Sequence, residues 1–276
     1  MDAYTFTSGI NAVRNCGAVP VGIAMDEKGM IPEALEKAAK SGKGKYIYLI
    51  PNFQNPTGIT MPLERRRAIY DIARTYDLLI YEDDPYGEIR FTDEVVPTFK
   101  SMDEDNRVIY AGSYSKTVSA GLRVGFLYGP EEIIGAIQMV KNNCDGQMPL
   151  VTQRVVAHLL DTIDYDEQIK KVARVYKEKC DLMLDTFKKY GSSKVRFTTP
   201  TGGMFVWMTM PDGVDCDAFF ETCMEHKVGI VKGAAFAADG IPAGQSFRLS
   251  FTFPSKEQIV EGMKIVGALT KEVCGD

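Results

Sequence analysis

The chain has 276 residues, of which 45% are hydrophobic and 25% are charged. This ordinary globular composition, over the length of roughly two domains, excludes a mainly disordered or fibrous protein. The net charge of −5 provides no basic field for nucleic acid or anionic lipid, so we expect neither as a partner. No apolar run approaches the roughly 20 residues that cross a bilayer, and the first residues lack a secretory pattern. We expect a cytoplasmic protein without a membrane segment.

The six cysteines never occur as Cys-x-x-Cys, and the two histidines, His158 and His226, are far apart in the sequence. This usage disfavours both a zinc site and a disulfide scaffold. We therefore expect no metal, and chemistry that does not depend on histidine.

From residue 45 onward, short β-branched or aromatic runs alternate with longer amphipathic runs. This alternation is typical of βαβ units around a mostly parallel sheet. Between the first two strands, Thr60 is expected to cap a helix that has Pro62 in its first turn and extends to Tyr76. The predicted strands cover residues 45–50, 78–81, 107–111 and 124–128.

The character of the sequence changes after three predicted helices, at residues 131–143, 151–161 and 166–190. The strands expected at residues 205–210, 229–232 and 247–253 lack the rhythm of a parallel sheet. A capping box, Ser255 with Gln258, opens a final helix. The sequence therefore predicts a large α/β domain over residues 1–161 and a smaller α+β domain over residues 162–276.

Three predicted strands are each followed by a segment of polar residues. The first is Asn-Pro-Thr-Gly at residues 55–58, the second Asp-Asp-Pro-Tyr-Gly at residues 83–87, and the third Ser-Tyr-Ser-Lys at residues 113–116. Arg123 lies seven residues beyond the lysine. Ligands of open α/β sheets bind beyond the carboxyl ends of the strands, so these segments are expected to converge on one site.

Each segment taken alone has a simpler interpretation. The proline and glycine of residues 55–58 suit an ordinary turn. The acidic pair could belong to a solvated loop or to a weak divalent-cation site. Residues 113–116 match the Ser-x-x-Lys motif of penicillin-recognising enzymes, but the Lys-Thr-Gly and Ser-Asp-Asn partners of that motif do not occur in the chain.

Taken together and in this order, the three segments resemble those of the fold-type I pyridoxal-phosphate aminotransferases. Gly-Gly-Met-Phe at residues 202–205 and Arg-Leu-Ser-Phe at residues 248–251 extend the resemblance over essentially the whole chain. The most similar subgroup includes the aminoadipate, kynurenine and aromatic amino-acid aminotransferases. The resemblance implies an α/β fold of the PLP-dependent transferase type I, with a mostly parallel sheet sandwiched by helices and a smaller C-terminal α+β domain.

The resemblance also implies roles at the cofactor ring. Lys116 would form the Schiff base with pyridoxal 5'-phosphate and then act as the general base. Asp83 would face the pyridine nitrogen, and we prefer it to Asp84 because the family spaces its aspartate and tyrosine as Asp-x-x-Tyr. Tyr86 and Asn55 would hydrogen-bond the 3′-oxygen of the ring.

The cofactor phosphate and the substrate would be held by other residues. By resemblance, Ser113, Ser115 and Arg123 would bind the phosphate. Arg248, with Asn55 beside it, would bind the α-carboxylate of the substrate, the alternative being an arginine on an exposed strand face.

An aromatic residue near the start of the chain would stack on the pyridine ring. Phe6 is our candidate in preference to Tyr4, with an aromatic core residue as the alternative. Gly202 and Gly203 would let a strand pass close to the site, or would simply mark a bulge.

Relatives carry a further segment before the position that matches Met1, including a glycine- and serine-rich turn that binds the phosphate. The chain therefore resembles an aminotransferase without its N-terminal portion, and we expect weak cofactor affinity and an exposed apolar face. The family forms its active sites at a homodimer interface, so a homodimer is implied.

The leading interpretation is a transaminase that moves an amino group between an amino acid and a 2-oxo acid, with aromatic and 2-aminoadipate-like amino acids as the candidate substrates. A carbon–sulfur β-lyase would use the same cofactor contacts and is an alternative. An inactive truncated remnant, or the effector-binding half of a regulator, is a third.

Overall fold

The computed structural model describes residues 1–242 and 244–276. The N-terminal part contains helix α1 (Thr7–Asn15), a small hairpin of β1 (Met25–Asp26) and β2 (Gly29–Met30), and helix α2 (Pro32–Ala39). The extended residues before α1 hydrogen-bond to a distant part of the chain. The amide of Thr5 donates to the carbonyl of Phe236, and the amide of Ala238 donates to the carbonyl of Ala3, both at 2.8–2.9 Å.

A four-stranded sheet follows, in the order β3 (Tyr46–Leu49), β4 (Leu79–Asp83), β5 (Val108–Ser113) and β6 (Gly125–Tyr128). The first three strands are parallel, as the alternation of strand and helix predicts. Strand β6 runs antiparallel to β5, so the sheet is mixed but mostly parallel. Helix α3 (Leu63–Thr75) makes the crossover from β3 to β4 and buries Ile69 and Ala73 in the same core as Leu49 and Ile80.

The start of α3 differs from the expectation. The helix begins at Leu63 with Pro62 as its N-cap residue, and the carbonyl of Pro62 accepts hydrogen bonds from the amides of Arg65 and Arg66. The predicted cap at Thr60 is therefore wrong, because its hydroxyl accepts a hydrogen bond from the amide of Phe53. The side chain of Thr60 thus serves the preceding loop.

Three helices connect this sheet to a second one: α4 (Glu131–Asp145), α5 (Leu150–Thr162) and α6 (Tyr165–Tyr190). The second sheet is antiparallel throughout, in the order β7 (Arg196–Phe197), β8 (Phe205–Thr209), β10 (Ser246–Ser250) and β9 (Val231–Lys232). Helices α7 (Cys216–Glu225) and α8 (Lys256–Cys274) complete the chain. The expectation that these later strands do not form a parallel sheet is confirmed.

The core of this second half lies between its sheet and the pair α6 and α8. Val206, Phe247 and Val266 are fully buried in one cluster. Ser255 begins α8 with the predicted capping box: its hydroxyl accepts from the amide of Gln258, and the side chain of Gln258 accepts from the amide of Ser255.

Several large apolar side chains of β6, α4 and α5 are exposed. No residue of α4 is buried, although the helix is amphipathic. The exposed side chains are those of Phe126, Tyr128, Met139, Val140, Leu150, Val151 and Val155. Within the described part of the chain, no helix is long and apolar enough to span a membrane.

Candidate active site

The segments after β4 and β5 leave the sheet at the same edge. Asp83, the last residue of β4, lies opposite Ala111 of β5, and the amide of Asp84 donates to the carbonyl of Ala111 at 2.9 Å. Parallel neighbours end on the same side, so residues 83–87 and the turn that contains Lys116 emerge next to each other. The predicted convergence of these two segments is present in the fold.

The two adjacent aspartates have different surroundings. Asp83 accepts a hydrogen bond from the phenol of Tyr48 at 2.7 Å, whereas Asp84 accepts from the amide of Asn52 at 3.0 Å and from the phenol of Tyr110 at 3.1 Å. Burial raises the pKa of Asp83, and the bond from Tyr48 acts in the opposite direction. Since Asp84 is held by two protein donors, Asp83 has the greater capacity to accept a ligand.

A separate buried cluster explains the other polar residues near this edge. Arg66 is fully buried, and its guanidinium donates to backbone carbonyls and to the side chain of Asn52. Glu82 accepts from the amides of Phe99 and Lys100, each at 2.9 Å. Burial is the main cause that raises the pKa of Glu82 to about 7. These hydrogen bonds fix the loop at residues 97–100, so the role of Arg66 and Glu82 is to hold the fold together.

Tyr86 is buried beside Asn55 and Arg248. Its ring meets that of Phe205 edge-on, with 5.9 Å between centroids. Burial raises the pKa of Tyr86 and the charge of Asp83 raises it further, while Arg248 and Asn55 act in the opposite direction. The side-chain oxygen of Asn55 accepts from Nη1 of Arg248 at 2.9 Å. The structure therefore brings Asn55, Asp83, Tyr86 and Arg248 together.

Arg248 lies in the middle of β10, between two aromatic faces. Its guanidinium carbon is 4.3 Å from the ring centroid of Phe205 and 4.8 Å from that of Phe236. Its Nε is buried without a hydrogen-bond partner among the described residues, and burial lowers its pKa. The arginine is therefore not on an exposed strand face. A desolvated cation between aromatic rings is suited to an anionic ligand.

Lys116 is partly buried in the middle of a tight turn that follows β5. The hydroxyl of Ser113 accepts from the amide of Ser115 at 3.1 Å, and the amide of Val118 donates to the carbonyl of Tyr114 at 2.9 Å. The first of these hydrogen bonds precedes the lysine and the second spans it, so together they fix the backbone that carries it.

Arg123 lies beside this turn because β6 pairs with β5. Ser113 is opposite Gly125, and the amide of Tyr114 donates to the carbonyl of Val124 at 3.1 Å. Arg123 itself is exposed and has a left-handed backbone conformation, with φ of 56°. Ser113, Ser115 and Arg123 thus occupy neighbouring positions at the strand ends.

The N-terminal residues also pack next to the residues of the candidate site. A Cβ on Gly9 would lie 2.9 Å from the ring of Tyr48, so the first turn of α1 packs directly on the tyrosine that binds Asp83. Tyr4 packs on Trp207 with 5.4 Å between ring centroids, whereas Phe6 precedes the helix and is 38% exposed. Phe6 is the more exposed of the two, while Tyr4 is partly exposed and lines a cavity with Trp207.

Gly202 and Gly203 allow a close approach of two backbone segments. The amide of Gly203 donates to the carbonyl of Ile89 at 2.8 Å, and Gly203 has φ of 73°. A Cβ on Gly202 would lie 2.4 Å from both the carbonyl oxygen of Ile89 and the ring of Phe53. This packing brings the segment before β8 against the loops that carry Asn55 and Tyr86.

Fold and site together define the class of this protein: it has the fold of the type I PLP-dependent transferases. A kynurenine aminotransferase of Pyrococcus horikoshii, solved in complex with PMP, superposes with a TM-score of 0.94 at 33% identity, over 98% of this chain and 68% of that chain. An α-aminoadipate aminotransferase of Thermus thermophilus, complexed with N-(5'-phosphopyridoxyl)-L-leucine, gives 0.93 at 33% identity, over 99% and 71%.

The sequence comparisons give the family. The family model for aminotransferase class I and II matches residues 1–265, and the chain belongs to this family. Aromatic-amino-acid aminotransferase 1 of Thermococcus litoralis is 34% identical over 99% of this chain and 66% of its own length. The 2-aminoadipate transaminase of Thermus thermophilus is 34% identical over 98% and 68%. The chain spans about two thirds of the length of these relatives.

The cofactor of this family is pyridoxal phosphate, as PMP and the phosphopyridoxyl group in the two superposed structures show. The residues of this chain fit it. Asp83 is a partly buried carboxylate whose Oδ1 accepts no hydrogen bond from the described residues, and burial disfavours its charge unless a cation faces it. A protonated pyridine nitrogen is such a cation.

Proposed function

We propose that this chain is a pyridoxal-phosphate-dependent aminotransferase that moves an amino group between an amino acid and a 2-oxo acid. The observation that carries the proposal is the position of Asp83, partly buried and held by Tyr48 at the sheet edge from which the Lys116 turn emerges. The relatives described above are aminotransferases, which favours this activity over the lyase and the remnant.

When bound, pyridoxal phosphate supplies an aldehyde that bonds to amines and a cationic ring that withdraws electrons. Asp83 would hold the ring nitrogen in its protonated state, because a carboxylate shielded from water stabilises a facing cation strongly. Tyr86 and Asn55 would hydrogen-bond the 3′-oxygen of the ring. The proximity of Tyr86 to Asp83 and the hydrogen bond between Asn55 and Arg248 support these roles.

Lys116 would be the residue that holds the cofactor covalently through its amine. The same amine, once free, would be the base that takes the proton from the substrate Cα. The hydrogen-bonded turn that carries Lys116 follows β5 and emerges beside the segment that contains Asp83 and Tyr86, which supports this role.

The phosphate would be bound by Ser113, Ser115 and Arg123. The antiparallel pair of β5 and β6 supports this assignment, because it brings the backbone of residues 113–115 next to that of residues 123–125. Phe6, exposed at the start of α1, would stack on the ring.

Arg248 would bind the α-carboxylate that all amino-acid and 2-oxo-acid substrates share. Asn55 already accepts one of its hydrogen bonds and fixes the guanidinium plane, so the remaining donors can form a bidentate pair. Fixing the carboxylate orients the Cα–H bond towards the amine of Lys116.

The names of the relatives support aromatic amino acids or 2-aminoadipate as the substrate class. The aromatic lining of Phe205 and Phe236 around Arg248 is compatible with either. The proposal includes a cytoplasmic homodimer, and the division of the chain into domains at residues 1–161 and 162–276, which the separate sheets β3–β6 and β7–β10 support.

The test is a transamination assay with purified protein, added pyridoxal phosphate, a panel of amino acids and 2-oxoglutarate. We expect the 2-oxo acid of an aromatic amino acid or of 2-aminoadipate to form in equal amount with glutamate, and Lys116→Ala to abolish both. Pyruvate and ammonia formed from a cysteine conjugate without an acceptor would instead indicate a β-lyase. No turnover with a cofactor-saturated protein would refute the proposal.

A further inference from the structure

Tyr165, the first residue of α6, links two loops of the active site. Its phenol oxygen lies 2.8 Å from Oε2 of Glu88 and 2.8 Å from Oγ1 of Thr117. A phenol has a single hydrogen, and a carboxylate can only accept. The arrangement that satisfies both contacts is a directed chain, in which Thr117 donates to Tyr165 and Tyr165 donates to Glu88.

The Thr117 end of this hydrogen-bonded chain is shielded from solvent, whereas Tyr165 is half-buried and Glu88 is exposed. Thr117 is buried, and the ring of Tyr165 packs edge-on against that of Tyr114, with 6.4 Å between centroids. Burial is the main cause that raises the pKa of Tyr165, so the phenol keeps its hydrogen at neutral pH. Hydrogen bonds that are shielded from water hold their partners more firmly than exposed ones.

The two ends of the hydrogen-bonded chain lie next to residues already placed in the site. Thr117 directly follows Lys116, and Glu88 comes two positions after Tyr86. The start of α6 is thus connected to the turn that carries the lysine and to the loop that carries the ring-binding tyrosine. The cofactor contacts described above do not use any of these three hydrogen-bonding groups.

We propose that Tyr165 is a positioning residue: through Thr117 and Glu88 it fixes the 114–118 turn, and with it the amine of Lys116, relative to the loop of Asp83 and Tyr86. The proposal rests on the role given to Lys116 above. A lysine that must reach both an aldehyde and a Cα proton depends on its placement, because small displacements of reacting groups lower the rate strongly.

Tyr165→Phe keeps the ring packing and removes only the hydroxyl. We expect kcat to fall about tenfold with KM within about twofold, because Arg248 and Asn55 bind the substrate unchanged. Thr117→Val should have a similar effect. The double variant should be no slower than either single variant, since the effects of substitutions within one hydrogen-bonded chain are not additive. Glu88→Gln retains an acceptor and should restore most of the rate that Glu88→Ala loses.

The first test needs no cofactor. The amides of Val118 and Ser119 donate to the carbonyl of Tyr114, so their hydrogen exchange reports on the turn. We expect exchange about tenfold faster in Tyr165→Phe and unchanged in Tyr176→Phe, a control on the same helix whose ring packs against Phe251. Equal protection in Tyr165→Phe and the unsubstituted protein would overturn the proposal.

The second test follows covalent attachment of pyridoxal phosphate, trapped at intervals with borohydride and quantified on the Lys116 peptide. Attachment should be about tenfold slower in Tyr165→Phe while the thermal midpoint matches that of Tyr176→Phe. An unchanged attachment rate would overturn the positioning role. If the unsubstituted protein attaches no cofactor at Lys116, the proposed function fails, and the exchange experiment still decides whether Tyr165 holds the turn.

Discussion

Removing the hydroxyl of Tyr48 is the sharpest perturbation of the site, because it leaves every proposed cofactor ligand in place. The phenol donates to Oδ2 of Asp83 at 2.7 Å, and Tyr48 is buried while Asp83 is partly buried. A hydrogen bond to a charged group contributes about 1.5–3 kcal/mol. Tyr48→Phe should therefore destabilise the ionised form of Asp83 by about that amount, in a site where burial already raises the pKa of this carboxyl.

The expected kinetic result follows from the sign of this change. With a higher pKa, Asp83 becomes protonated at a higher pH and then no longer holds a cationic ring. The acid limb of the pH profile of kcat/KM should move to higher pH, and kcat/KM at pH 7 should fall about 10- to 100-fold, since each 1.4 kcal/mol corresponds to about tenfold.

The assay is the initial rate of amino-group transfer from pH 5 to pH 9 with the cofactor saturating. Tyr81→Phe is the matched control: its ring lies 5.8 Å from that of Tyr48 and it neighbours Asp83 on β4, but Tyr48 supplies the hydrogen bond to that carboxylate. An acid limb that stays in place in Tyr48→Phe, or that moves equally in both variants, would refute the reasoning.

Three further predictions concern stability, measured by urea unfolding of the cofactor-free protein. The pKa of Glu82 is raised from 4.5 to about 7, so the ionised carboxyl destabilises the fold. The free energy of unfolding should therefore increase by about 1 kcal/mol as the pH falls from 8 to 6. Glu82→Gln should flatten this rise, and a flat profile in the unsubstituted protein would contradict the prediction. Gly202→Ala should lower the free energy of unfolding by about 1–3 kcal/mol, because the new Cβ would meet the carbonyl of Ile89. Gly135→Ala, in open space on α4, is the control and should leave this free energy unchanged or raise it by up to about 1 kcal/mol. Ser255→Ala should cost about 1 kcal/mol by removing the capping box of α8, and an unchanged unfolding midpoint would show that the cap is not needed.

Much of the fold follows from local sequence patterns. The runs of β-branched residues predict β3, β4, β5 and β8 to within a few residues, and the Ser255 capping box predicts the start of α8. The direction of β6 does not follow, because its apolar run is the same whether the strand is parallel or antiparallel. Thr60 is not the cap because Pro62 is the N-cap residue and the helix begins at Leu63. This boundary depends on backbone geometry, which the sequence pattern does not show.

The candidate site likewise contains residues that sequence reasoning selects and residues that only the structure shows. Asn55, Asp83 and Tyr86 stand at or just after the ends of predicted strands, where sequence reasoning selects them as candidates. Tyr48 is missing from that set because it lies inside an apolar strand, where a tyrosine resembles any core aromatic. Tyr165 is far from the site in the sequence, and only the tertiary fold brings it to Thr117 and Glu88.

The most direct measurement of the central claim is to reduce the protein with borohydride in the presence of pyridoxal phosphate and to map the modified lysine by peptide mass spectrometry. The account predicts a single phosphopyridoxyl group on Lys116, formed more slowly in Asp83→Asn than in Asp84→Asn. Modification spread over exposed lysines, or a specific adduct at another lysine with Lys116 unmodified, would contradict it.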